Sequence, residues 1–318
     1  MLDATDSFRT AILATLGHSP ELIEPGRFHR FPTNERRGDA AGWCHLFEDG
    51  RAGVFGDFRA GLSEVWTAQR RETMTLAERR SLAIQMARAA EERRALQRQA
   101  WMRNSRRLIE LSAACIGVTS GDPVSLYFQR RGLGAAVPPC LRLHRALPYW
   151  HDGEVIGTFP AMVAPIVGRD GIARALHRTW LTSDGRKADV PTVKKLTCAA
   201  GPLAGASIRL HSPLHGVAGI AEGIETAQAA FLGSGVPTVA AYCAGNLAAW
   251  QWPVGVRRIV IFADADKAGT DAAQTLKTRA ASAGLNVAVM TPTTPGLDWC
   301  DVWAQREAVT VTASAAAA

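Results

Sequence analysis

The 318-residue sequence predicts an α/β protein: a C-terminal parallel sheet flanked by helices, preceded by a mixed α+β segment and a small N-terminal β-module. Three observations predict it. Residues 216–303 alternate short apolar runs with helical stretches, the pattern of a parallel sheet with helices on its faces. Residues 26–66 break into short aromatic and apolar pieces separated by Gly, Asp and Asn, the texture of antiparallel hairpins. Between them, residues 75–112 run without Pro or Gly, as a long helix does.

Taken in order, SFRTAILATLG predicts a short helix within residues 1–20, ending near Gly17. RFHRFPT, GWCHLFED, AGVFGDF and SEVW predict the strands of the β-module. Thr75 caps the long helix, with Glu78 three residues on. SGDPVSLYFQRRGL predicts a helix capped near Asp122 and stopped by Gly132. Thr158–Val167 and Ala173–Leu181 flank a Gly168–Gly171 turn and predict a β-hairpin, with a further strand over Ser207–His211. Strands then fall at Gly216–Ala221, Pro237–Tyr242, Arg258–Ala263 and Leu285–Met290, and helices at Ile224–Leu232, Leu247–Trp252 and Gly269–Ala283. The expected domains are a β-rich module over 1–68, a basic helical connector over 69–112, a mixed α/β segment over 113–215, the parallel-sheet domain over 216–306, and a disordered tail over 307–318.

Composition removes several classes of function. Hydrophobic residues make up 47% and charged residues 20%, which excludes a disordered polyampholyte. No run approaches the roughly 18 apolar residues of a membrane span, and MLDATDSFRT carries acids where a signal peptide is basic. A cytoplasmic protein with no membrane partner is expected. The six cysteines form no CxxC pair and the eight histidines no HExxH, which argues against a zinc ribbon or a disulfide scaffold. Residues 70–107 hold eleven Arg against four Glu, a net of +7 that equals the net charge of the whole chain. This helix reads either as a solvated connector or as a face for nucleic acid.

The chemistry-bearing residues are acids at strand ends. Ligands of an open parallel sheet sit beyond the carboxyl ends of its strands. Glu222 follows GVAGIA, Asp264 and Asp266 follow RIVIFA, and Asp298 and Asp301 follow the last strand after a Pro/Gly loop. A strand continuing through Asp266 places both its carboxylates on one side. Converging carboxylates repel, and a hard divalent cation, Mg2+ or Mn2+, relieves them. Such a site suits phosphoryl transfer. Gly223 and Gly269 leave room for close approach, and Lys267 is a candidate phosphate contact. The competing reading makes Asp264 and Asp266 loop acids and helix N-caps. In the N-terminal module, Arg27-Phe28-His29-Arg30-Phe31 interleaves cations with rings, the mixture that binds single-stranded nucleic acid. The alternative there is a small aromatic core.

These residues resemble the Toprim (topoisomerase–primase) family. Ala221-Glu222-Gly223-Ile224-Glu225-Thr226-Ala227 is similar to its EG-x-x-TA motif, and Phe262 through Gly269 to its DxDxAG motif. Leu297-Asp298-Trp299-Cys300-Asp301-Val302 is similar to the closing DWND box, with Cys300 where Asn is common. Tyr127 through Leu133, Arg178 through Leu181 with Gly185 through Ala188, and Ala241 through Leu247 resemble segments of the primases of phages, conjugative plasmids and integrative elements. Residues 38–66 are similar to a zinc-free module of some of these primases. The resemblance covers roughly 122–303 and lacks the zinc ribbon and helicase of longer relatives, as in a short form, a free-standing subunit or a fragment.

The resemblance implies a DNA primase, a nucleotidyltransferase making short primers on single-stranded DNA of a mobile element. It implies Glu222, Asp264 and Asp266 as catalytic residues, and the same three with Asp298 and Asp301 as holders of Mg2+ or Mn2+. Arg130, Arg131, Lys187, Lys194 and Lys195 become candidates for template or triphosphate contact, beside Lys267, Arg27 and Arg30. Nucleoside triphosphates and a separately encoded replicative helicase are the implied partners. A Toprim nuclease and a non-catalytic single-strand-binding accessory protein remain alternatives.

Overall fold

Phe8 and Ile12, one helical turn apart, bury one face of helix α1 (Ala4–Leu16), which ends at Gly17 in the left-handed conformation at φ 72°. The computed structural model describes residues 3–35, 39–58, 62–69, 73–134 and 136–306, so the tail expected over 307–318 lies outside the described residues. The chain divides into two compact units, residues 1–100 with 150–154, and residues 101–149 with 155–318.

In the first unit, strands β1 (Phe28–Phe31), β2 (Gly42–Leu46), β3 (Ala52–Asp57) and β4 (Leu62–Thr67) form an antiparallel sheet in chain order. Phe31, Cys44, Leu46 and Phe55 pack with Phe8, Ile12 and Ile23. Trp43 is buried elsewhere on the sheet, stacked on Phe28. Helix α2 (Leu76–Ala113) opens on a reciprocal cap: Thr75 N–H donates to the Glu78 carboxylate, and Glu78 N–H to the Thr75 hydroxyl.

The second unit holds two sheets over a shared core. Asp122 caps helix α3 (Pro123–Arg130), accepting from the N–H groups of Val124 and Ser125. A five-stranded sheet has the order β5 (Ile116–Gly117), β6 (Arg142–His151), β7 (Glu154–Val167), β8 (Ala173–Trp180), β9 (Lys194–Leu196). The expected hairpin is the β7–β8 pair, antiparallel from Ala161↔Trp180. The four-stranded sheet is wholly parallel, in the order β11 (Thr238–Ala240), β10 (Val217–Ala221), β12 (Arg258–Phe262), β13 (Asn286–Met290).

Burial on both faces explains the unbroken apolar runs of β10 and β12. Val260 and Phe262 face a core shared with α3, β7 and helix α4 (Ile224–Ser234). Ile259 and Ile261 face the opposite way, toward helices α5 (Ala244–Ala249) and α6 (Lys267–Ser282), where Leu247, Leu276 and Ala280 pack. A last helix, α7, spans residues 299–306.

Two expectations change. Ser207–His211 is not a strand: Ser207 bridges to Val167 of β7 while Ile208 bridges to Ala240 of β11, so neighbouring residues stitch two different sheets. Strand β12, expected over Arg258–Ala263, ends at Phe262, so it does not continue through Asp266 and the two carboxylates do not share one side of a strand. The reason is local, because Asp266 is the N-cap of α6 and accepts the Gly269 N–H at 2.7 Å. Among the described residues no helix is long and apolar enough to cross a membrane.

Candidate active site

Strands β10 and β12 pair in parallel with Ala221 opposite Phe262, so Glu222 and Asp264 emerge beyond the same edge of the sheet. Glu222 is pinned through its backbone, whose carbonyl accepts the Tyr242 N–H at 2.8 Å. Tyr242 holds this bond at φ 62°, a left-handed conformation uncommon for a side chain of its size. The loop after β13 is tied to the same edge: Ala265 N–H donates to Leu297 O and Gly296 N–H to Ala265 O. That brings Asp298 in. Asp298 and Asp301 cap each other's backbone at the start of α7, and Asp298 also accepts from the Thr226 hydroxyl at 3.4 Å.

A cleft of about 280 Å³ opens there. Glu222, Asp264 and Asp298 line it together with Arg131, Lys187, Lys194 and His177. One set is acidic and the other basic. Burial, and then the charges of Glu222, Asp298, Asp266 and Asp301, push the Asp264 carboxyl up to about 7. Its Oδ1 is buried without a hydrogen-bond partner. Burial and the charge of Asp266 raise Glu222, opposed by Lys194 and by the Ala244 N–H.

Gly269 belongs to this geometry. A Cβ on it would stand 2.8 Å from the Asp264 carbonyl oxygen, so the first turn of α6 lies against the Asp264 backbone only without a side chain.

The donor set fits a hard divalent cation: carboxylate oxygens, one of them orphaned, crowded enough to raise each other's proton affinity. Among the described residues no group of three or more His, Cys, Asp or Glu side chains is placed to hold a metal ion by itself. Mg2+ needs none, since it keeps waters and takes one or two carboxylates plus substrate phosphates.

Residues 217–308, which supply all of these acids, match the Toprim domain family. This stretch is a Toprim domain. Residues 102–210 match a domain of unknown function, DUF7146. No curated protein matches the chain. Among solved structures, the chain is similar to a DNA primase domain from Pseudomonas aeruginosa, at 15% identity and TM-score 0.34, covering 49% of this chain and 50% of that one. It is similar to the primase fragment of the bacteriophage T7 primase-helicase protein, at 16% identity and TM-score 0.33, covering 55% and 63%. It is also similar to a DnaG primase catalytic domain bound to single-stranded DNA, at 16% identity and TM-score 0.42, covering 68% and 81%. The chain spans about half the length of the first of these.

The remaining sequence-derived candidates separate into groups. Asp266 and Asp301 act on the Toprim cleft through their charge from helix-start positions, and neither lines it. Arg131 lines the cleft and donates to Cys300 Sγ at 3.3 Å, whereas Arg130 turns away and pairs with Asp184 at 3.2 Å. Lys194 lines the cleft, and Lys195 lies 3.8 Å over the Tyr149 ring. Lys267 pairs with Asp271, one turn along α6, at 2.6 Å. In the first unit, Arg27 pairs with Glu24 at 2.9 Å, and Arg30 donates to the Ala40 carbonyl and covers Phe58.

Sequence reasoning missed His177 and Glu225. His177 is 7% exposed, its Nδ1 has no partner, and burial lowers its ring to about 4, so it is neutral at physiological pH. Glu225 sat inside the quoted AEGIETA motif without a role. Its signal was its position, the one charged residue of the helix IETAQAAFLGS and in its first turn.

Proposed function

We propose that the protein is a DNA primase-like nucleotidyltransferase that makes short primers on single-stranded DNA, using Mg2+ or Mn2+. The observation that carries this reading is the Toprim cleft with Glu222, Asp264 and Asp298 set against Arg131, Lys187 and Lys194. A polymerising site needs both halves. It must hold cations beside the reacting phosphate, and it must hold the polyanionic triphosphate and template.

Glu222, Asp264 and Asp298 would hold the metal, with Asp266 and Asp301 adding negative charge nearby. The bound ion would neutralise charge on the transferred phosphoryl group. Glu222 would act as general acid/base or as a metal contact, from its place beyond the end of β10 on the wall of the cleft. Arg131, Lys187 and Lys194 bind phosphate oxygens. The motif likeness to primases of phages, plasmids and integrative elements supports a template on a mobile element, with a replicative helicase as a partner.

The test is incubation of the full chain with single-stranded template, ribonucleotides and Mg2+. Labelled short oligomers that vanish in Glu222→Gln and Asp264→Asn support the primase. Shortened template would instead make the protein a Toprim nuclease. Template binding that survives both substitutions, with no product, would make it an accessory protein.

A further inference from the structure

Tyr127 of α3, Lys194 of β9 and Glu225 of α4 meet at the cleft. Glu225 is 4% exposed, yet both of its oxygens are engaged. Oε1 accepts from the Tyr127 hydroxyl at 2.5 Å, and Oε2 from Lys194 Nζ at 3.0 Å. Burial opposes its charge, but the Lys194 ammonium and the Tyr127 hydroxyl outweigh burial and hold the carboxyl well below its usual range.

A buried ion pair is weak evidence for stability, because apolar residues of the same volume often serve as well. This pair has another consequence. The Lys194 side chain is 38% exposed and lines the cleft. Its ammonium has three donors, and Glu225 takes one. The charge of Lys194 is also felt by Glu222. A lysine is a point charge on a flexible four-carbon stem. Released from Glu225, it would be drawn onto the crowded acids, where the uncompensated negative charge lies.

We propose that Glu225 is a positioning residue that tethers the Lys194 ammonium at the wall of the cleft, where it meets nucleotide phosphates and stays off the carboxylates of Glu222 and Asp264. Tyr127 locks the tether by fixing the second Glu225 oxygen. This inference rests on the functional reading above and adds to it a residue that need not touch substrate, metal or the reacting atoms.

The test uses the full chain with Glu225→Gln, Lys194→Ala and the double variant. In steady-state primer synthesis, Glu225→Gln raises KM for ribonucleotide about tenfold with kcat nearly unchanged, and the double variant is no worse than Lys194→Ala alone. Thermal stabilisation by Mg2+, read without nucleotide, weakens in Glu225→Gln and returns in the double variant, because the freed ammonium is gone. Tyr127→Phe, which removes one hydroxyl, shows the same pattern at about threefold and keeps the test usable if Glu225→Gln fails to fold. An unchanged KM in both Glu225→Gln and Tyr127→Phe, or a rise that persists undiminished without Lys194, overturns the tether alone. A wild-type protein that makes no primer and binds no nucleotide overturns the reading of the cleft itself.

Discussion

The β-module of the first unit and the Toprim cleft of the second both carry charged residues with an alluring local pattern, and they treat charge in opposite ways. In the first unit, several of the described charges have partners within the unit. Arg30 lies 4.5 Å over Phe58, Arg93 lies 4.5 Å over Trp43, Phe28 stacks on Trp43 at 5.9 Å, and Arg27 pairs with Glu24. In the cleft, Asp264 keeps a buried oxygen without a partner, and its neighbours raise its proton affinity instead of neutralising it. The partnered charges of the module are read as scaffold, and the acids crowded by like charge as candidates for binding a ligand.

The sharpest way to break this comparison is to neutralise the crowded acids. Glu222→Gln and Asp264→Asn should each lower primer synthesis by on the order of a thousandfold, about 4 kcal/mol in the barrier, in a labelled-nucleotide assay. Activity within a few-fold of wild type would place these acids with the scaffold. The module should respond through stability. Trp43 is 2% exposed, so Trp43→Ala should cost about 3–5 kcal/mol in the unfolding of the first unit, followed by denaturant titration. A small loss there would mean that the rings are a recognition surface and not a core.

His177 sharpens the comparison by pH. Its folded pKa of about 4 lies below the 6.5 of a free ring, so the unfolded state binds a proton that the folded state refuses. Its contribution is present above pH 6.5 and is lost as pH falls toward 4, up to about 3 kcal/mol. The slope of melting temperature against pH across that window should flatten in His177→Gln. The smallest effects belong to paired surface cations. Arg27→Ala and Lys267→Ala should leave the melting temperature nearly unchanged and change primer synthesis by less than about twofold. A larger loss of activity at either position would return it to the binding surface.

Much of the parallel sheet could be read directly. Strands buried on both faces need continuous apolar runs, and GVAGIA and RIVIFA are such runs, each followed by an acid. Glu222 and Asp264 were legible for that reason. Asp266 follows the alternative reading, because helix α6 begins at Lys267 and Asp266 caps it instead of continuing the strand beside Asp264. Arg130 and Arg131 are adjacent and look equivalent. One residue of helix rotation, about 100°, sends Arg130 to Asp184 and Arg131 into the cleft. Lys194 and Lys195 divide the same way by the two-residue period of a strand.

By itself the sequence determined the parallel sheet, its motif acids and the edge from which Glu222 and Asp264 emerge, because periodicity and strand-end chemistry act over a few residues. Only the tertiary structure decided which cations face those acids and that Glu225 engages both Lys194 and Tyr127, because these contacts join residues as far as 98 positions apart and depend on packing that no local pattern encodes.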